Sequence, residues 1–159
     1  MNRLTKTVDG VETVYIYDAN DRMTSDGTKT YSYDSNGNML SDGVNSYAYN
    51  YDNRMISAGN AEYSYNTSGI RTEKIVNSET TKYIVDMNES FPRVVEELDS
   101  LNNLSVRYEA GEKIISQTKD GQISFFLYDG FGSTRILTDL SGTSTDLYEY
   151  DAYGNITTQ

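Results

Sequence analysis

A chain of 159 residues that carries 15 Tyr and 4 Phe but no Trp, Cys or His has room for one domain. Its stock for a core is unusual, because tyrosine is apolar along its ring and polar at its tip. A formal net charge of −11, with the 13 Lys and Arg scattered rather than gathered in a stripe, argues against nucleic acid and against anionic membrane surfaces as partners. The lack of cysteine excludes a disulfide framework and thiolate metal sites, and no run approaches the ~18 apolar residues of a membrane span.

The first residues, "MNRLTKTVDG", have no apolar stretch of the signal-peptide kind. They open inside a repeat, which leads to the expectation that the chain is part of something longer. From there a Tyr-x-Tyr element recurs, at Tyr15-Tyr17, Tyr31-Tyr33, Tyr47-Tyr49-Tyr51, Tyr63-Tyr65 and Tyr148-Tyr150, with looser copies at Tyr83-Val85, Tyr108-Ala110 and Phe126-Tyr128. The first four start 16 residues apart and later ones are spaced more widely. Recurrence at a fixed period marks a repeat architecture. The residue between the tyrosines is Ile16, Ser32, Ala48 or Ser64, so strand alternation puts both rings of a pair on one face.

A turn follows most of these elements: Asp18-Ala19-Asn20-Asp21, Asp34-Ser35-Asn36-Gly37, Asn66-Thr67-Ser68-Gly69, Asp129-Gly130-Phe131-Gly132 and Asp151-Ala152-Tyr153-Gly154. Asp or Asn at the first position bonds the backbone two residues on. Gly or Asn at the fourth supplies the left-handed residue that closes a type I turn with a G1 bulge. Arg or Asn and then apolar residues come next, as in Arg22-Met23, Asn38-Met39-Leu40, Arg54-Met55-Ile56 and Asn155-Ile156. Second turns follow at Ser25-Asp26-Gly27 and Ser41-Asp42-Gly43. Each repeat therefore reads as strand, turn, strand, turn, with strands of about 4–6 residues.

The stretch Arg93 to Leu101 reads as a strand followed by a turn, with a short helix carrying Val94, Leu98 and Leu101 on one face as the alternative. No linker divides the chain. The expected organisation is one all-β repeat domain over 1–159, with regular repeats in 1–74 and longer, more apolar strands in 75–159.

The runs "YIYDANDRMTSDG" and "YSYDSNGNMLSDG" resemble YD repeats, also called RHS repeats. The segment "FGSTRILTDLSG" followed by "YEYDAYGN" is similar to the RHS repeat-associated core, and places Gly132, Ser133, Arg135, Thr138, Asp139, Gly142, Tyr148, Tyr150, Asp151 and Gly154 in that motif. The resemblance covers nearly the whole chain from Val14. It implies antiparallel hairpins joined into a curved strip, which in large members spirals into a shell. It also implies a secreted or cell-surface setting within a larger protein, and a structural role as a wall that encloses or presents a C-terminal toxin or surface module. About eight repeats would give a strip of roughly 14–16 strands, short of a closed chamber; open sheets of more than about ten strands usually curl. Members of the family commonly carry a self-cleavage motif with "DPxG" beyond the core. The only proline here is Pro92, so autoproteolysis is not carried over.

Chemistry of the chain's own is poorly supplied. A nucleophilic triad needs a base, and there is no His or Cys, so Ser133 reads as a turn residue. Paired carboxylates (Asp18 with Asp21, Glu96 with Glu97, Asp146 with Glu149) fall in turns or on exposed strand faces. "DSNGN" offers oxygens from Asp34, Asn36 and Asn38 at EF-hand positions 1, 3 and 5, but Met39 stands where Gly is needed and Asn45 where Glu is needed. The reading therefore has no enzyme, no cofactor and no metal. The Tyr-x-Tyr stripe (Tyr15, Tyr17, Tyr31, Tyr33, Tyr47, Tyr49, Tyr63, Tyr65) is first a layer of core and second a candidate surface for carbohydrate or a protein partner. Arg135 is expected to pair with Asp129 or Asp139 or to bond a carbonyl within the strip. Unpaired sheet edges are expected to drive self-association or pairing with neighbouring repeats.

Overall fold

A computed structural model describes residues 2–88 and 91–158. Among these residues the only regular structure is β-strand, and the all-β hairpin architecture expected from the sequence is what the chain adopts. In chain order the strands are β1 (Thr5–Val8), β2 (Val11–Val14), β3 (Ile16–Tyr17), β4 (Met23–Ser25), β5 (Ser32–Tyr33), β6 (Met39–Ser41), β7 (Tyr47–Tyr49), β8 (Met55–Ala58), β9 (Ala61–Tyr65) and β10 (Arg71–Val76). They continue with β11 (Glu79–Asp86), β12 (Arg93–Leu98), β13 (Leu104–Ala110), β14 (Ile114–Lys119), β15 (Gln122–Tyr128), β16 (Thr134–Thr138), β17 (Ser144–Leu147), β18 (Glu149–Tyr150) and β19 (Ile156–Thr158). Strands β7 to β17 form an 11-stranded sheet in sequence order, and β1-β2, β3-β4, β5-β6 and β18-β19 are two-stranded ladders.

The nineteen strands among the described residues exceed the roughly 14–16 expected, and the early ones are shorter than expected. The cause is arithmetic within the repeat. A 16-residue period that contains two turns of several residues leaves two or three residues to each of β3, β4, β5, β6 and β7. Later repeats connect their strands more tightly and have strands of up to eight residues. The stretch from Arg93 is strand β12 followed by a turn, not a helix; the β-branched pair Val94-Val95 favours that outcome.

Two compact units divide the chain, residues 1–69 with 74–78 and residues 70–73 with 79–159. Each has a thin core. Ala61 is the buried hydrophobic residue of the first, at 8% exposure, and Val106 and Leu137 those of the second, at 7% and 6%. The accessible surface of the chain is 11287 Å². A compact protein of this mass would expose about 8,000 Å², and two separate compact bodies of half the mass about 9,700 Å² together. Half-buried tyrosines therefore supply much of the cover that an interior gives elsewhere.

The turn chemistry is uniform. In Asp34–Gly37, the Gly37 N–H donates to the Asp34 carbonyl at 3.2 Å and the Asp34 N–H donates to the Asn38 carbonyl at 2.9 Å. Gly37 has φ +91°, as the bulged type I turn requires. One or two residues later these hairpins slip register by a residue, leaving Thr24, Leu40 and Ile56 unpaired on the return strands opposite Tyr17, Tyr33 and Tyr49. Bulges of this kind bend and twist a strand.

Two-residue hairpins close the other ends. Asp9-Gly10, Asn77-Ser78 and Asp120-Gly121 each have both residues at positive φ, the signature of type I′ turns. Ser78, at φ +70°, is the least suited to it, since only Gly, Asn and Asp enter this region readily. Ser78→Gly is expected to raise stability by about 0.5–1 kcal/mol, the left-handed strain relieved outweighing the entropy cost of glycine. A urea midpoint unchanged or lowered would contradict this.

Candidate functional site

The feature that recurs with every repeat is a seam between consecutive hairpins, built by the turn aspartate, the residue after the turn, and the second tyrosine of the next repeat. The aspartate is a staple. Asp34 Oδ1 accepts the N–H groups of Asn36 and Asn38 at 2.9 and 2.8 Å, and Oδ2 accepts the Asn38 side-chain amide at 2.9 Å. Asp151 and Asp99 repeat the arrangement with Asn155 and Asn103. Asp129 and Asp139 bond the N–H groups of Phe131 and Ser133 and of Ser141 and Thr143. In Asp18 the second partner is Arg22, whose guanidinium lies 2.7 Å away. These donors lower the carboxyl pKa of Asp34, Asp99 and Asp151 chiefly through the asparagine side chain, and of Asp18 and Asp129 chiefly through the backbone N–H of Arg22 and Ser133.

The tyrosines divide by position. The second of most pairs reaches back to the preceding hairpin. Tyr17 donates its hydroxyl to the Arg3 carbonyl at 2.9 Å, Tyr33 to Met23 at 2.8 Å and Tyr65 to Met55 at 2.7 Å. In the later unit Tyr128 donates to Ile114 at 2.7 Å and Tyr150 to Thr134 at 2.9 Å. The first of the pair is tied to the second turn instead, Tyr31 to Asp26 at 2.6 Å and Tyr47 to Asp42 at 2.9 Å. Tyr15 and Tyr49 are half-buried, the latter paired in register with Met55, and Tyr63 lies in β9 with partners of its own. The eight tyrosines singled out from the sequence are thus half-buried building residues, and the hydroxyls of Tyr17, Tyr31, Tyr33, Tyr47 and Tyr65 serve the chain itself.

Cations cover the rings. Arg22 stands 4.9 Å from the Tyr33 centroid, Arg71 5.4 Å from Tyr83, Lys113 5.1 Å from Tyr128 and Arg135 5.9 Å from Tyr150. Each such contact contributes about 0.5–1 kcal/mol at exposed sites. Arg135 therefore sits over an aromatic face; its field also lowers the Asp129 pKa as a lesser cause, and its carbonyl accepts the Tyr148 N–H. Of the remaining core-motif residues, Gly132, Gly142 and Gly154 hold positive φ at turn ends, Ser133 bonds Asp129 through its backbone, and Thr138 lies in β16.

The fourth turn position has two solutions. Where it is glycine, the cation of the preceding repeat can lie over it: the Arg54 guanidinium occupies the place a Gly69 Cβ would need, and Lys113 crowds Gly132. Where it is Asp or Asn, at Asp21, Asn53 and Asn102, the left-handed residue accepts a hydrogen bond from the preceding repeat, from Asn2, from Asn36 and Asn38, and from Lys82. The sequence reading did not anticipate this bridging. A donor about 17 residues before an Asx in the fourth turn position was its available signal.

Also missed were the rings that do face solvent. Tyr51, Phe131 and Tyr153 are 106%, 101% and 91% exposed, in the middle positions of the stapled turns, and Phe91, outside those turns, is 84% exposed. In the later unit a depression of about 300 Å³ is lined by Asp86, Glu109, Arg107 paired with Glu96 at 2.8 Å, and Arg93, which donates to the carbonyls of Gly111 and Glu112. Beside it Tyr108 donates to Glu97 at 3.0 Å; burial first and Glu97 second push its pKa up to about 12. Among the described residues, no group of three or more His, Cys, Asp and Glu is placed to hold a metal ion.

No protein-family model matches the chain. It is similar to the tRNA3(Ser)-specific nuclease WapA of Bacillus spizizenii, with 33% identity over 91 residues, 56% of this chain. The chain spans 4% of that relative's length.

Removing one seam hydroxyl, in Tyr33→Phe or Tyr65→Phe, is expected to cost about 1 kcal/mol, since a buried carbonyl loses its donor; chemical denaturation measures it. Titration has two windows. The turn carboxyls have depressed folded pKa values, so their stabilisation is present above the ordinary value near 4 and is lost as pH falls below it. Tyr31 and Tyr108 are both raised to about 12, Tyr31 chiefly by its hydrogen bond to Asp26. Their contribution is full below about pH 10 and is lost as pH climbs from there through 12. Tyrosinate absorbance should therefore show a class titrating well above pH 10; a single transition of all tyrosines near 10 in the folded chain would refute the assignment.

Proposed function

We propose that the chain is a non-catalytic wall segment of a YD/RHS-repeat assembly, a single repeat domain over 1–159 that helps to enclose or present a C-terminal toxin or surface module outside the cell. The observation that carries this reading is that the polar groups that recur with the repeat are spent within the array, on their own turn or on the neighbouring repeat. Turn carboxylates are stapled to N–H groups, tyrosine hydroxyls to carbonyls, and cations to rings. Chemistry requires polar groups left over, and a wall requires them consumed.

The similarity to a nuclease fits this reading when the portion matched is not the part that cleaves RNA. A net charge of −11 without histidine is ill-suited to bringing a tRNA phosphate to a general base. Incubating the purified chain with total tRNA, with and without magnesium, should leave the RNA intact. Cleavage that survives repurification and follows the protein peak would defeat the non-catalytic part of the proposal.

A partner-binding role is the second reading, and the exposed turn rings Tyr51, Phe131 and Tyr153 favour it over the Tyr-x-Tyr stripe, because their faces are free to stack on a sugar or a protein side chain. Strands β7 and β17 also end the 11-stranded sheet, and sheet ends are where further strands add. Sedimentation velocity is expected to show self-association as concentration rises from micromolar to millimolar; a monomer throughout would count against edge pairing.

A further inference from the structure

The chain has 14 asparagines, and Asn36 alone is followed by glycine. We infer that the Asn36-Gly37 turn is a site of spontaneous covalent modification, at which Asn36 loses its side-chain amide and the clasp between two consecutive repeats is undone.

The chemistry needs only water. The Gly37 main-chain nitrogen gives up its proton and attacks the Asn36 Cγ. The Cγ–Nδ2 bond breaks, and the amide nitrogen leaves as ammonia. Water then opens the resulting cyclic imide. Breaking the Cγ–N bond leaves aspartate; breaking the bond to the main-chain carbonyl carbon leaves isoaspartate, with one extra methylene in the backbone. Glycine is the residue that permits the attack, because it puts no Cβ in the way.

Local structure favours the same residue. Asn36 and Gly37 are exposed. The Gly37 N–H is held at 3.2 Å from the Asp34 carbonyl, against 2.9 to 3.1 Å for its counterparts at Gly69, Gly132, Gly142 and Gly154. The Asp34 carbonyl is shared, since Arg22 Nη1 donates to it at 3.1 Å. That guanidinium also stands 4.0 Å from the place of a Gly37 Cβ, where its positive charge favours loss of the Gly37 amide proton. Short exposed turns of this kind open at low free-energy cost, and opening brings the nitrogen to the side chain.

The amide that would be lost has a structural task. Asn36 Nδ2 donates to Asn53 Oδ1 at 2.9 Å, and Asn38 Nδ2 donates to the same oxygen at 2.7 Å. Conversion replaces one of these donors with a carboxylate, so acceptor faces acceptor across the junction of the β5-β6 and β7-β8 hairpins. The isoaspartyl product also lengthens the turn between the two N–H groups that Asp34 staples.

The test is to age the folded chain in mildly alkaline buffer at body temperature, alongside a sample unfolded in urea. Peptide mapping by mass spectrometry and enzymatic isoaspartate detection locate the change. The expected result is ammonia release approaching one per chain, with most of the isoaspartate at Asn36 in both samples. Aged wild-type chain should unfold at a lower temperature than fresh chain, and Asn36→Ser should show neither the ammonia nor the shift. Amide loss spread evenly over the asparagines would overturn the inference. So would amide loss at Asn36 in urea only, because the fold would then protect the turn.

Discussion

A tyrosine hydroxyl donated to a carbonyl of the preceding hairpin is the contact that ties consecutive hairpins together. Among the described residues no large side chain is fully buried. Leucine or phenylalanine in the same place would cover the strand but leave the carbonyl beneath it dry and unpaired, at a cost of about 1–3 kcal/mol. Tyrosine covers and pairs at once. The carbonyl it meets lies beside the register slip that follows each stapled turn, as at Met23 and Met55, where the ladder has lost a regular bond. The bulge supplies an acceptor, and the ring supplies both the donor and the cover.

The turn then decides what stands on the ring. A left-handed fourth residue is demanded by the turn geometry, and glycine meets that demand with no side chain. The room so gained at Gly69 and Gly132 is filled by the cation that follows the previous turn. Asn53 and Asn102 meet the same demand at some conformational cost and add an acceptor for the preceding repeat. One backbone requirement thus has two chemical answers, each of which ties a hairpin to the one before it. The link from turn to packing is therefore local, and each repeat needs only its predecessor to be satisfied, as in other quasi-one-dimensional folds.

Much of this was legible in the residues because the signals are short-range. Asp34 to Gly37 announced a bulged type I turn, and the alternation around Ser32 put Tyr31 and Tyr33 on one face. What the sequence did not disclose is that two tyrosines on one face have different tasks, one bound to the Asp26 carboxylate and the other to a carbonyl 10 residues back. Period-2 reasoning assigns a side chain to a face but not to a partner along the chain. The strand count went astray for a related reason. A composition-level strand length of about 4–6 residues ignored how much of a 16-residue repeat the two turns consume. Arg135 was expected to pair with an aspartate or a carbonyl because charge is visible in a sequence and ring faces are not; beside its field on Asp129, it stands over Tyr150 at the bulge in β16.

The same accounting bears on what the chain can do. Reactive sites are made of groups whose needs are left unmet until a ligand arrives, and they show as perturbed carboxyls in apolar clefts. Here the perturbed carboxyls run the other way. Asp18, Asp34, Asp99, Asp129, Asp139 and Asp151 are all held below the ordinary value, by hydrogen-bond donors from their own turns. A carboxylate so stabilised is a weaker base than a free one, so the repeat trades reactivity for stiffness at each turn. Among the described residues the turn-tip rings of Tyr51, Phe131 and Tyr153 stand exposed, and β7 and β17 end the 11-stranded sheet.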